Sequence, residues 1–135
     1  MGRVLLIDDD IDFTDAATIV LEQKGYDVSV LNDTQGAIEF IEESRPDVLV
    51  LDVMFPQDTT AGFDLARQIR RHKELERLPI LVLSAVNTRF PLGFGPGDID
   101  EEWMPVQDFL EKPIDFDVLT EKIRRLMKGE ASPRK

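Results

Sequence analysis

Five short strand-like runs recur along the chain, at Val4 to Ile7, Val28 to Leu31, Val48 to Leu51, Ile80 to Leu83 and Phe109 to Glu111. The first, third and fourth are continuous and rich in branched residues, the pattern of strands buried on both faces of a parallel sheet. Helical spacing fills the gaps between them. From Asp12 to Lys24, Phe13, Ala16, Ala17, Val20 and Leu21 share one side, Asp15, Thr18 and Glu22 take the other, and Gly25 stops the run. A second helix is predicted from Thr34 to Glu43 with Ala37, Ile38 and Ile41 inward. A third runs from Gly62 to about Leu75 with Phe63, Leu65, Ala66 and Ile69 as its apolar set. Asp115 caps a last helix to Met127, in which Phe116, Leu119, Ile123 and Leu126 recur at helical spacing. Its final turns carry Lys122, Arg124, Arg125 and Lys128, where cations suit the helix dipole.

Strict strand-then-helix order predicts an α/β fold, a doubly wound five-stranded parallel sheet with helices on both faces. The flavodoxin-like order 2-1-3-4-5 is the common solution at this length, and it sets the first and third strands side by side. Between the fourth and fifth strands, residues 87–105 hold three prolines, three glycines and the acidic run Asp98 to Glu102. Pro91 and Pro96 each remove a backbone donor, so this fourth-helix region reads as an irregular insertion. Residues 1–128 are expected to form one domain and residues 129–135 a flexible tail, with no internal repeat and no second domain.

Composition narrows the class. A chain of 135 residues with 42% hydrophobic content can build an ordinary soluble core. No apolar stretch reaches the ~18 residues that span a bilayer, and nothing at the N-terminus reads as a signal peptide. The absence of cysteine excludes disulfides and thiolate sites and suits a cytoplasmic protein. A net charge of −11 counts against direct nucleic-acid binding, which needs a basic footprint.

Part of that charge is concentrated. The first strand runs into Asp8, Asp9 and Asp10, and the third into Asp52. Ligands of open α/β sheets bind outside the carboxyl ends of the strands. Carboxylates gathered at that edge repel one another unless a cation sits among them, and a small all-oxygen cluster favours a hard ion such as Mg²⁺. Asp8, Asp9 and Asp52 are therefore the candidate metal residues, with Asp10 the cap of the following helix.

Four segments in order carry a likeness to a known family: Val4 to Asp10, Val48 to Pro56, Leu81 to Ala85 and Asp108 to Pro113. Over Arg3 to Met127 the chain resembles a bacterial response-regulator receiver domain of two-component signalling. The resemblance implies that Asp52 accepts a phosphoryl group from a phosphohistidine on a sensor histidine kinase or phosphotransfer protein. It implies that Asp8, Asp9, Asp52 and the backbone carbonyl of Met54 hold Mg²⁺. Ser84 would donate to a phosphoryl oxygen, and Lys112, in a cis peptide with Pro113, would pair with Asp52 before transfer and with the phosphoryl group after it. It further implies that Met54 and Val86, two positions beyond Asp52 and Ser84, govern attack by water on the acyl phosphate.

Each residue also has a plainer role. Ser84 can cap the segment after it, Lys112 can be a surface lysine, and Phe109, at the family's aromatic switch position, can be core packing. His72, beside Arg70, Arg71 and Lys73, reads as surface, and Trp103 as a local packing anchor. Two departures from the family stand out: Ala61-Gly62 replaces the usual Asp-Gly, and the fourth-helix region is irregular. The leading expectation is a single-domain receiver, monomeric or weakly dimeric, that signals through a partner protein without touching nucleic acid or entering a membrane. The alternative is a receiver-like interaction module acting independently of phosphorylation. A flavin-binding protein would need a neutral Gly/Ser/Thr-rich loop after the first strand. An Asp-x-Asp phosphatase would need a second Asp where Met54 stands.

Overall fold

A computed structural model of the protein describes residues 2–52, 61–75, 77–84 and 108–128. Among these, five strands form one parallel sheet in the order β2-β1-β3-β4-β5. They are β1 (Arg3–Ile7), β2 (Asp27–Leu31), β3 (Val48–Asp52), β4 (Ile80–Ser84) and β5 (Asp108–Glu111). The described helices are α1 (Ile11–Gln23), α2 (Ala37–Ser44), α3 (Ala61–Arg71) and α4 (Phe116–Met127). This is the doubly wound, flavodoxin-like architecture expected from the alternation of strand and helix signals.

Alternation along the buried strands divides the core into two layers. Leu5, Ile7, Leu49, Leu51, Ile80 and Val82 meet α2 and α3 through Ala37, Ile41, Leu65, Ala66 and Ile69. Val4, Leu6, Val48, Val50, Leu81 and Leu83 face the opposite way and meet α1 and α4 through Ala17, Leu21, Leu119, Ile123 and Leu126. Each fully buried aliphatic side chain contributes about 1.5–3 kcal/mol by area. Both layers must be filled for the sheet to exclude water, which is why Val4 to Ile7, Val48 to Leu51 and Ile80 to Leu83 are apolar at every position.

Three local readings need adjusting. The second helix begins at Ala37 rather than Thr34. Asp33 Oδ1 accepts from the Gln35 amide at 2.9 Å and Gly36 adopts φ 71°, so the chain turns before the helix starts. The third helix ends at Arg71, and Lys73–Leu75 continues as a 3-10 turn. There the Leu75 amide donates to the His72 carbonyl at 2.9 Å, which tightens the chain and packs Leu75 against the core. His72 is only 35% exposed, and its Nε2 lies 3.2 Å from Glu42 Oε2 on α2 rather than out in solvent. The expectations for Met54, Val86, Pro91, Pro96, Trp103, the irregular region 87–105 and the tail 129–135 lie outside the described residues.

Candidate functional site

Register builds the site. Strands β1 and β3 pair Leu6 with Val50 and Ile7 with Leu51, so Asp8 follows the last paired residue of β1 just as Asp52 follows that of β3. Both carboxylates emerge at the same edge, and each is only 1% exposed. Asp9 is exposed beside them. One carboxylate oxygen from each of Asp8, Asp9 and Asp52 lies within 4.8 Å of the others.

Short-range contacts fix Asp8. Its amide donates to the Leu31 carbonyl at 3.0 Å, which ties the end of β1 to β2. Asn32 Nδ2 donates to the Asp8 carbonyl at 2.9 Å, and the Asp10 amide donates to Asp8 Oδ1 at 2.9 Å. Asp10 in turn caps α1, its Oδ1 accepting from the Phe13 amide at 3.1 Å. Asp10 thus plays the expected structural part, and the turn it closes holds Asp8 and Asp9 at the mouth of the sheet.

Lys112 closes the cluster from β5. The Lys112–Pro113 peptide is cis. The Lys112 ammonium lies 2.8 Å from Asp8 Oδ2 and 3.9 Å from Asp52 Oδ2, so its nearer partner is Asp8 rather than Asp52. The Asp8 contact is a close ion pair, and a carboxylate oxygen keeps acceptor capacity beside one cation. Burial by itself would lower the Lys112 pKa. The Asp8 contact and the charges of Asp52, Asp8 and Asp10 outweigh burial and hold the ammonium above its ordinary value of 10.5. Lys112 therefore stays charged and offsets the mutual repulsion of the two buried carboxylates. Ser84 ends β4 with its backbone paired to Glu111, at the same edge of the sheet; its hydroxyl lies outside what the structure describes, as does the Phe109 ring.

The donor set suits a hard divalent cation. Three carboxylates offer only oxygen, two of them are buried, and the cation beside them, Lys112, leaves a net negative cluster. Two concavities at the opposite edge of the sheet, one lined by Arg3, Asp27 and Ser29 and one by Glu42, Arg45 and Arg77, lie away from this chemistry.

Three neighbours of the cluster were not singled out from sequence. Asn32 follows β2 at the same edge, and its place after a strand end is the signal for it. Thr14 is 1% exposed and shares the inward face of α1 with Ala17 and Leu21. Phe13, read only as a core residue, lies with its ring centroid 5.2 Å from the Lys112 ammonium.

Comparison with known proteins identifies the family. Residues 4–124 match the response regulator receiver domain family. The response regulator MprA of Mycobacterium leprae is 36% identical over 129 residues, covering 93% of this chain and 51% of the relative. The DNA-binding dual master transcriptional regulator RpaA of Synechocystis is 31% identical over 130 residues, covering 95% of this chain and 50% of that protein. The chain thus spans about half the length of these curated relatives. Among solved structures, a CheY-like response regulator receiver domain protein from Methanospirillum hungatei superposes with a TM-score of 0.77 at 27% identity, covering 95% of each chain. The chain belongs to the response-regulator receiver domain family of two-component signalling.

Proposed function

We propose that this chain is a phosphoacceptor whose reacting group is the Asp52 carboxylate. The carboxylate attacks the phosphorus of a phosphohistidine on a sensor histidine kinase or phosphotransfer protein. The new P–O bond forms as the P–N bond breaks, and the released imidazole nitrogen takes a proton from water. The observation that supports this reading is the juxtaposition of buried Asp52 with Asp8, Asp9 and Lys112 at one strand edge. Asp8, Asp9, Asp52 and the Met54 carbonyl would hold Mg²⁺, which when bound spreads the negative charge of a phosphoryl group arriving among carboxylates. Lys112 would exchange its carboxylate partner for a phosphoryl oxygen, and the Ser84 hydroxyl would donate to another.

In this reading residues 1–128 are the receiver unit and 129–135 its tail. The protein acts in the cytoplasm as a monomer or weak dimer, passes its signal to a downstream protein, contacts no nucleic acid itself and turns over no substrate beyond its own phosphoryl group. Among the described residues no helix is long and apolar enough to cross a membrane. Incubation with acetyl phosphate and Mg²⁺, followed by intact-mass measurement, tests the assignment. One added phosphoryl group on the wild type and none on Asp52→Asn is the expected result. Equal labelling of both would remove Asp52 from the role.

A further inference from the structure

Phe13 and Phe116 stand on the two helices that flank Lys112. Their rings stack with centroids 6.0 Å apart and planes 11° from parallel, joining the first turn of α1 to the first turn of α4. Each ring sits in a helical turn that a carboxylate caps. Asp10 accepts from the Phe13 amide, and Asp115, immediately before Phe116, accepts from the Asp117 and Val118 amides at 2.9 and 3.3 Å. The Lys112 ammonium lies 5.2 Å from the Phe13 centroid and 2.8 Å from Asp8. That distance is within the range of a cation–π contact.

We propose that Phe13 is a positioning residue for Lys112. The inference rests on the phosphoacceptor reading above. A lysine that trades Asp8 for a phosphoryl oxygen loosens its close contact with the first anion as it takes up the second. Its stem is long and rotamer-rich, and a quarter of the side chain is exposed, so release alone lets the ammonium swing into water. The ring face attracts the cation without neutralising it and without competing as an anion. It keeps the ammonium at the mouth of the cluster throughout the exchange. The stack on Phe116 fixes the ring, so the resting place is built from two helices and not from one mobile side chain.

The test compares Phe13→Leu, which keeps apolar bulk and removes the ring, with Phe13→Tyr, which restores it. Phosphorylation by acetyl phosphate with Mg²⁺ should slow about three- to fivefold in Phe13→Leu, the size of a partly exposed cation–π contact, and stay within about twofold of wild type in Phe13→Tyr. In parallel, NMR of the Lys112 ε-methylene protons should show an upfield ring-current shift in wild type and Phe13→Tyr that is lost in Phe13→Leu. That signal reports whether the ring stays over the Lys112 stem, and slowing in Phe13→Leu that Phe13→Tyr restores is what a merely structural role would not produce. Wild-type rates in Phe13→Leu, equal slowing in both variants, or an unchanged Lys112 shift in Phe13→Leu would each overturn the proposal while Asp52 labelling stands. No phosphoryl uptake by the wild type would overturn the phosphoacceptor reading and this proposal with it.

Discussion

Replacing Lys112 with Met removes one charge and keeps most of the apolar stem. It leaves Asp8 and Asp52, each 1% exposed, facing one another without the ammonium at 2.8 and 3.9 Å. Two carboxylate oxygens within 4.8 Å of one another repel by at least about 3.5 kcal/mol at an effective dielectric near 20. Breaking a buried pair by deleting one partner costs about 3–5 kcal/mol. Lys112 is one-quarter exposed, so solvent screening brings the expected loss to the lower end, about 3 kcal/mol. At about 4 °C per kcal/mol for a chain of this size, that is a fall of roughly 12 °C in melting temperature. The measurement is thermal unfolding at pH 7, once in EDTA and once in millimolar Mg²⁺. The variant should melt well below wild type in EDTA and recover more than wild type gains when Mg²⁺ is added, because a cation among the carboxylates replaces the missing charge. A variant as stable as wild type in EDTA would show that Lys112 does not offset the carboxylate repulsion and would refute the electrostatic account of the site.

Other consequences are equally open to measurement. Arg124, and less strongly Arg125, hold the exposed Glu121 carboxyl down at about 2, against an ordinary value of 4.5. The folded-state pKa is depressed, so the stabilisation is complete above 4.5 and is lost as pH falls through about 2. Glu121→Gln should therefore melt slightly below wild type at pH 7, with the gap closing between these values; a gap that widens on acidification would contradict the pairing. Leu5 is fully buried, so Leu5→Ala should lose about 2–5 kcal/mol in urea unfolding. Ile19→Ala, at a site 58% exposed, should stay within about 0.5 kcal/mol, and similar losses at both sites would refute the assigned burial. Met54 and Val86 are both apolar and cannot orient a water by hydrogen bonding. Met54→Asn with Val86→Glu should shorten the lifetime of the aspartyl phosphate, and an unchanged decay rate would remove water access as the controlling factor.

Strand runs, helix faces and their order were legible in the sequence because burial is periodic along the chain. Val48 to Leu51 is apolar at every position, and only a strand covered on both faces requires that. Strict alternation of elements pointed to a doubly wound sheet, and its common strand order sets the first and third strands, and so Asp8 and Asp52, side by side. Asp10 and Asp115 were legible as caps because a carboxylate before an apolar helical pattern has free amides to satisfy. Contacts across the fold were not legible in the same way. That Lys112 stands closer to Asp8 than to Asp52, that Phe13 turns its ring toward that ammonium, and that His72 reaches Glu42 on α2 each depend on side-chain reach between elements far apart in sequence. Periodicity places a residue on a face and does not choose its neighbour. The register of β1 on β3 and the packing of α1 against α4 make that choice, and only the tertiary structure contains both.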